Sequence, residues 1–227
     1  MNIVITGCSK GIGFELVKIW SKNHKVYGIS RNTEKLESLR ASLSNPANFK
    51  FLSIDIVNLN QHDIKDFIRD SKVDILVNNA GHLINKPFSE IKYDDYRDLM
   101  DVNFWGAFNL SQLLVKKLSN AKGQIINISS MGGVNYTSKF PGLSLYSSSK
   151  AALSVFTECL AVELESEQVK VNALALGAVE TEMLNTAFPG YVADTKAHEM
   201  ASFIVEFVNS SSNIINGQVI RVSKSNP

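Results

Sequence analysis

Short runs rich in β-branched residues alternate along the chain with longer stretches whose apolar residues recur at helical spacing. No other feature narrows the fold as much: parallel strands need long crossovers between them, and a helix is the usual crossover. The runs are Asn2 to Thr6, Lys25 to Ser30, Lys50 to Ile54, Val73 to Asn78, Gln124 to Ser129, Val169 to Leu174 and Gln218 to Val222. Ile3-Val4-Ile5 and Ile125-Ile126 are apolar without a break, which suits strands covered on both faces. The expectation is one doubly wound α/β domain over residues 1–227, with a parallel sheet of roughly seven strands flanked by helices on both faces.

A chain of 227 residues is long enough to bury such a core. Lysine plus arginine total 23 against 22 for aspartate plus glutamate, so no global field draws the chain to nucleic acid or to an anionic membrane. Any anion site must be local. The start, MNIVITG, runs straight into a strand with no basic leader or long apolar stretch, which points to a cytoplasmic protein without membrane contact. Cys8 and Cys159 read as free thiols, and His24, His62, His82 and His198 lack metal-ligand spacing, so no metal is expected. His82 directly follows Gly81 and could face a cleft. The serine run Ser210 to Ser212 reads as a turn before the last strand. The helical stretches Phe104 to Leu118 and Ala151 to Leu164 carry apolar residues on more than one face, among them Trp105, Phe108, Val155 and Phe156, which suits a subunit interface.

The segment Thr6-Gly7-Cys8-Ser9-Lys10-Gly11-Ile12-Gly13 follows the first strand and opens the first helix. Glycines there let the backbone turn tightly and approach a ligand, while the helix N-terminus offers unpaired N–H groups and partial positive charge. A dinucleotide pyrophosphate suits that combination. At the end of the second strand stands Arg31, where a binder of the unphosphorylated cofactor usually places a carboxylate for the ribose hydroxyls. Arg31 and Lys10 together match a 2′-phosphate, which favours NADP over NAD.

Taken in order, these residues and those downstream resemble the classical short-chain dehydrogenases/reductases over nearly the whole chain. The motifs are the Thr6-to-Gly13 turn, Asn78-Asn79-Ala80-Gly81 after the fourth strand, Asn103 in the next helix, Ser130 after the fifth strand, and Tyr146-Ser147-Ser148-Ser149-Lys150. The resemblance implies a Rossmann-type domain that exchanges a hydride between NADP(H) and a small-molecule carbonyl or alcohol. It also implies a homodimer or homotetramer.

Tyr146 is implied as the acid in reduction and the base in oxidation. A free phenol titrates near pH ~10, and Lys150, one helical turn on, is expected to lower that value. Lys150 would also hold the nicotinamide ribose. Ser130 would stabilise charge on the substrate oxygen, and Asn103 would hold a water that links the lysine to solvent. Asn79, Ala80 and Gly81 would lie against the adenosine side, Asp55 with Ile56 against the adenine, and Thr181 with Val179 against the nicotinamide carboxamide.

Several positions depart from the pattern. Ser130 and Tyr146 are 16 positions apart, more than is usual in the family, which implies a short insertion within Asn135 to Phe140 beside the substrate cleft. Ser129 is a possible substitute for Ser130, although strand alternation points it to the other face. Leu176-Gly177 stands where Pro-Gly is common, and only about a dozen residues separate Met183 from the helical stretch near Thr195, which implies an open or shallow pocket. The tail Arg221-Val222-Ser223-Lys224 lacks the family's aspartate and glycines. A different reading is a cofactor-binding scaffold or sensor with little turnover. Within the family, reduction of a 3-oxoacyl thioester is a narrower alternative.

Overall fold

The computed structural model describes residues 1–211 and 214–224. Seven strands form one parallel sheet: β1 (Asn2–Thr6), β2 (Lys25–Ser30), β3 (Phe49–Ser53), β4 (Ile75–Asn78), β5 (Gln124–Ser130), β6 (Lys170–Leu176) and β7 (Val219–Val222). Their order is β3-β2-β1-β4-β5-β6-β7. The chain winds outward from β1 in one direction, then crosses back to β4 and winds in the other. The loops leaving β1 and β4 therefore part, which opens a crevice at the carboxyl ends of the strands.

Alternation along the strands assigns each side chain to one of two cores. Ile3 and Ile5 of β1 pack on one face with Leu16 and Val17 of α1 (Gly11–Trp20) and Met200 and Ile204 of α8 (Ala197–Ser211). Val4, between them, packs on the other face with Leu110 and Leu114 of α5 (Gly106–Ala121) and with Ile125 and Val171. All of these are buried, and each such side chain contributes about 1.5–3 kcal/mol of apolar transfer free energy. The remaining helices are α2 (Thr33–Ser42), α3 (Gln61–Phe67), α4 (Tyr93–Met100), α6 (Ser144–Glu163) and α7 (Glu182–Ala187).

Two local expectations are corrected. The helix expected from Phe104 begins at Tyr93 as α4 and passes into α5 through a wide turn over Asp101–Trp105, where Gly106 N–H donates to the Asp101 carbonyl five residues back. Such wide turns interrupt the regular bonding and cluster at functional sites; this one contains Asn103. The serine run is not a turn at Ser210, because α8 continues through it and the Ser210 hydroxyl donates back to the Glu206 carbonyl at 2.7 Å. Ser212 lies outside the described residues. Among the described residues no helix is long and apolar enough to cross a membrane.

Candidate active site

The turn after β1 is built on two left-handed glycines, Gly7 at φ +67° and Gly11 at φ +57°. A Cβ on Gly13 would stand 2.6 Å from both the Gly7 carbonyl and the Asn79 amide, so only glycine lets α1 approach so closely. Lys10 caps α1 without a side-chain hydrogen bond, and the first turn has no acidic residue. Its N–H groups are left for an anion.

The Thr6 hydroxyl, buried, accepts from Asn79 N at 3.0 Å and Ala80 N at 2.8 Å. In return the Asn79 amide donates to the carbonyls of Thr6 and Gly7 at 2.9 and 3.2 Å. The loops after β1 and β4 are thereby joined at the point where the crevice opens.

That crevice is a cavity of about 660 Å³. Gly7, Ser9, Lys10, Gly11 and Ile12 line it from the turn, Arg31, Asp55 and Ile56 from the ends of β2 and β3, and Asn79, Ala80 and Gly81 from beyond β4. Ser130, Tyr146, Lys150, Val179 and Thr181 complete the set of expected residues on its wall. Thr6, Gly13 and Asn103 lie behind that wall. Thr6 clamps the two loops, and Gly13 lets the helix pack.

One end of the cavity is cationic. Arg31 is highly exposed and stands 3.5 Å from the Asp55 carboxylate, whose other oxygen caps the following turn at Val57 N, 3.2 Å. Lys10 and Lys35 both pair with Glu182, at 3.4 and 3.3 Å. Lys35 and Glu182 were not anticipated from the sequence. The Lys35 ammonium first, and Lys10 after it, holds the Glu182 carboxyl below the usual carboxylate range. Thr181 caps α7, its hydroxyl accepting from Leu184 N at 3.3 Å.

At the other end stand Ser130, Tyr146 and Lys150. Ser130 and Ser129 face opposite ways, as alternation requires: buried Ser129 donates to the Lys150 carbonyl at 3.0 Å, whereas Ser130 bonds to the Tyr146 phenol. Burial raises the Tyr146 phenol above its ordinary value, and the bond with Ser130 opposes that shift. The expected acidification by Lys150 is therefore not the dominant influence. The Lys150 ammonium donates to the Ile128 carbonyl at 2.9 Å, and burial pulls its pKa down to about 8.

Asn103 is fully engaged. Its Oδ1 accepts from His82 N at 2.6 Å, and its amide donates to the His82 carbonyl and to Ser149 Oγ, both at 2.9 Å. It ties the loop after β4 to α6, where Lys150 lies. His82 contributes to the site through its backbone. Cys8 and Cys159 are free thiols, and burial pushes Cys8 up to about 12, far from a reactive thiolate.

The inferred insertion folds on itself: Thr137 Oγ1 donates to the Met131 and Val134 carbonyls at 2.6 and 2.9 Å. Arg221 from β7 ties it down at the Asn135 carbonyl, 2.8 Å, so the atypical tail makes a contact of its own. Phe140, at its end, lines the cavity. The segment after β6, though short, puts Met183, Leu184, Phe188 and Tyr191 on the cavity wall. The Asn85 amide holds it at the Ala187 carbonyl, 2.9 Å.

A parallel sheet with a switch-point crevice, a glycine-lined anion turn and a serine, tyrosine and lysine at its floor define a nucleotide-dependent oxidoreductase class. The family described as short chain dehydrogenase matches residues 1–191, and the chain belongs to that family. A 3-oxoacyl-[acyl-carrier-protein] reductase from Rickettsia prowazekii is 34% identical over 184 residues, covering 79% of this chain and 73% of that protein. An uncharacterized oxidoreductase of Escherichia coli, YohF, is 28% identical over 237 residues, covering 96% and 92%. The solved structure of ElxO with NADP bound superposes with a TM-score of 0.83 at 28% identity, covering 97% of this chain and 96% of that one.

Proposed function

We propose that this chain is a single-domain, NADP(H)-dependent carbonyl reductase, or alcohol dehydrogenase in reverse, acting on a small molecule. The observation that carries this reading is the placement of Ser130, Tyr146 and Lys150 on one wall of a cavity whose far end holds Lys10, Arg31 and Lys35.

The residues fit a phosphorylated dinucleotide. The uncapped start of α1 and the two left-handed glycines suit a pyrophosphate, and the three cations suit a 2′-phosphate. The ElxO structure, titled with NADP bound, supports the same choice. Asp55 and Ile56 would border the adenine, Asn79, Ala80 and Gly81 the adenosine side, and Val179 and Thr181 the carboxamide. When bound, the nicotinamide supplies or accepts the hydride.

The protein's own groups handle the oxygen. Ser130 donates a hydrogen bond to the carbonyl oxygen and stabilises the charge that grows on it. Tyr146 gives that oxygen its proton. Lys150 supplies a positive charge beside the ribose and the phenolate, and Asn103 positions Lys150's helix against the loop at Gly81. The relative from Rickettsia keeps 3-oxoacyl thioesters in view as a substrate.

We also read the chain as a homodimer or homotetramer. On α6, Val155, Cys159 and Val162 are exposed at i, i+4 and i+7, beside the ring cluster of Phe104, Trp105, Phe108 and Phe156.

The test is a panel of ketones and aldehydes, followed by loss of NADPH absorbance with NADH in parallel. Oxidation of NADPH at a higher kcat/KM than NADH supports the proposal. Tight NADPH binding without turnover across the panel favours a scaffold or sensor instead.

A further inference from the structure

Three segments meet at the cavity that Tyr146 lines. The backbone N–H of Lys86, beyond β4, donates to the Gly142 carbonyl at 3.0 Å, and Asn85 in the same loop holds the Ala187 carbonyl at 2.9 Å. The segment before α6 and the end of α7 are thus fastened to one another through residues 85 and 86. Together they present Leu83, Phe140, Leu143, Phe188 and Tyr191 to the cavity, next to Met131, which follows Ser130.

The charged side chains on the described cavity wall are Lys10, Arg31, Lys35, Asp55, Glu182 and Lys150. Lys10 and Lys35 are joined through Glu182, and Arg31 faces Asp55, so these five are paired with one another; Lys10, Arg31, Lys35 and Asp55 follow β1, β2 and β3, on the other side of the switch point from β5 and α6. Lys150 lies on the wall at the reacting end, where its ammonium donates to the Ile128 carbonyl and stands 6.0 Å from the centre of the Tyr146 ring. The basic residues on the covering loops are engaged elsewhere: Lys86 pairs with Asp95 at 2.6 Å, and Lys139 donates to the Val134 carbonyl at 2.6 Å. A substrate carboxylate or phosphate beyond the reacting carbon would thus be desolvated against the aromatic and aliphatic side chains of the covering loops, which offer it no counter-charge.

Resting on the oxidoreductase reading, we infer that the substrate is a neutral carbonyl compound, or its alcohol, carrying an apolar chain or ring and no ionised group near the reacting carbon. Burial of that apolar portion against the three segments provides the binding energy. Ser130 and Tyr146 alone address its oxygen.

The experiment compares butanone, hexanone, octanone and decanone, each with its carbonyl beside the terminal methyl group, against the same chains ending in a carboxylate. NADPH consumption by the full-length protein is the readout. The expected kcat/KM rises about threefold per methylene in the neutral series and falls at least about tenfold when the carboxylate is added. Phe140→Lys, a change at a half-exposed position, should narrow that gap by raising kcat/KM for the carboxylates. Equal kcat/KM for neutral and charged chains in the unaltered protein overturns the inference while leaving the oxidoreductase standing. No NADPH consumption with any carbonyl compound, neutral or charged, overturns the reading beneath it.

Discussion

The Lys150 ammonium donates to the Ile128 carbonyl at 2.9 Å and stands 6.0 Å from the centre of the Tyr146 ring. Burial lowers the lysine to about 8 and raises the phenol, so both groups are pushed toward their neutral forms. Below about pH 8 Lys150 is charged. Above it, the positive charge beside the phenol is lost, and kcat/KM for carbonyl reduction is expected to fall as pH rises through that value. A rate that stays flat to well above pH 8 contradicts the assignment.

Stability carries the same signature. Between about pH 8 and the ordinary lysine range the unfolded chain keeps a proton on this side chain that the folded chain has released, so stability rises with pH across that window. Below it both states are protonated and the burial penalty is felt in full. Lys150→Met removes the effect. In urea titrations the wild type should gain on the order of 2 kcal/mol relative to that variant between about pH 7 and about pH 10.

Glu182 joins Lys10 and Lys35 across the mouth of the cationic end. If these lysines bind a 2′-phosphate, Lys35→Ala should raise KM for NADPH by about two- to fivefold, the scale of exposed ion pairs, and leave KM for NADH alone. Glu182→Gln frees both cations and should move KM for NADPH the other way. Parallel shifts for both cofactors would mean that the residues shape the fold without reading the phosphate.

Thr6 holds two backbone N–H groups at once. Thr6→Val keeps the shape but leaves both partly buried donors without an acceptor, at a cost of roughly 1–3 kcal/mol. Chemical denaturation should report that loss, with the refolded variant still able to bind NADPH more weakly. An unchanged denaturation midpoint would show that the loops do not depend on the clamp.

The exposed stripe on α6 sets an expectation for association in solution. Val155→Glu with Val162→Glu should shift light-scattering mass to that of one chain without lowering helix content. A wild type that already scatters as one chain at micromolar concentration contradicts the oligomer reading.

The strands were legible because β-branched runs have few alternatives: β1 and β2 coincide with their sequence bounds, and the others differ by one or two residues. The cavity wall was legible where a motif fixes position, as at Gly11 and Tyr146. Lys35 and Glu182 were not, because a charged residue on a helix surface looks alike whether it faces solvent or a cleft, and their pairing spans 147 positions. The position of Lys35 in the first turn of the helix that follows Arg31 was the signal available. The structural roles of Thr6 and Gly13 were hidden for a related reason. Sequence order shows that a residue belongs to a turn, not which side of the backbone its atoms occupy. The wide turn at Asn103 is a matter of hydrogen-bond pattern, which hydrophobic periodicity does not encode.

The most direct test of the central claim is Tyr146→Phe, with NADPH binding followed by fluorescence and turnover followed on the best carbonyl compound of the panel. Loss of one hydroxyl should leave NADPH affinity within about threefold and lower kcat by at least about a hundredfold, the scale of general acid catalysis. Wild-type turnover in a variant that binds NADPH normally would show that another group delivers the proton.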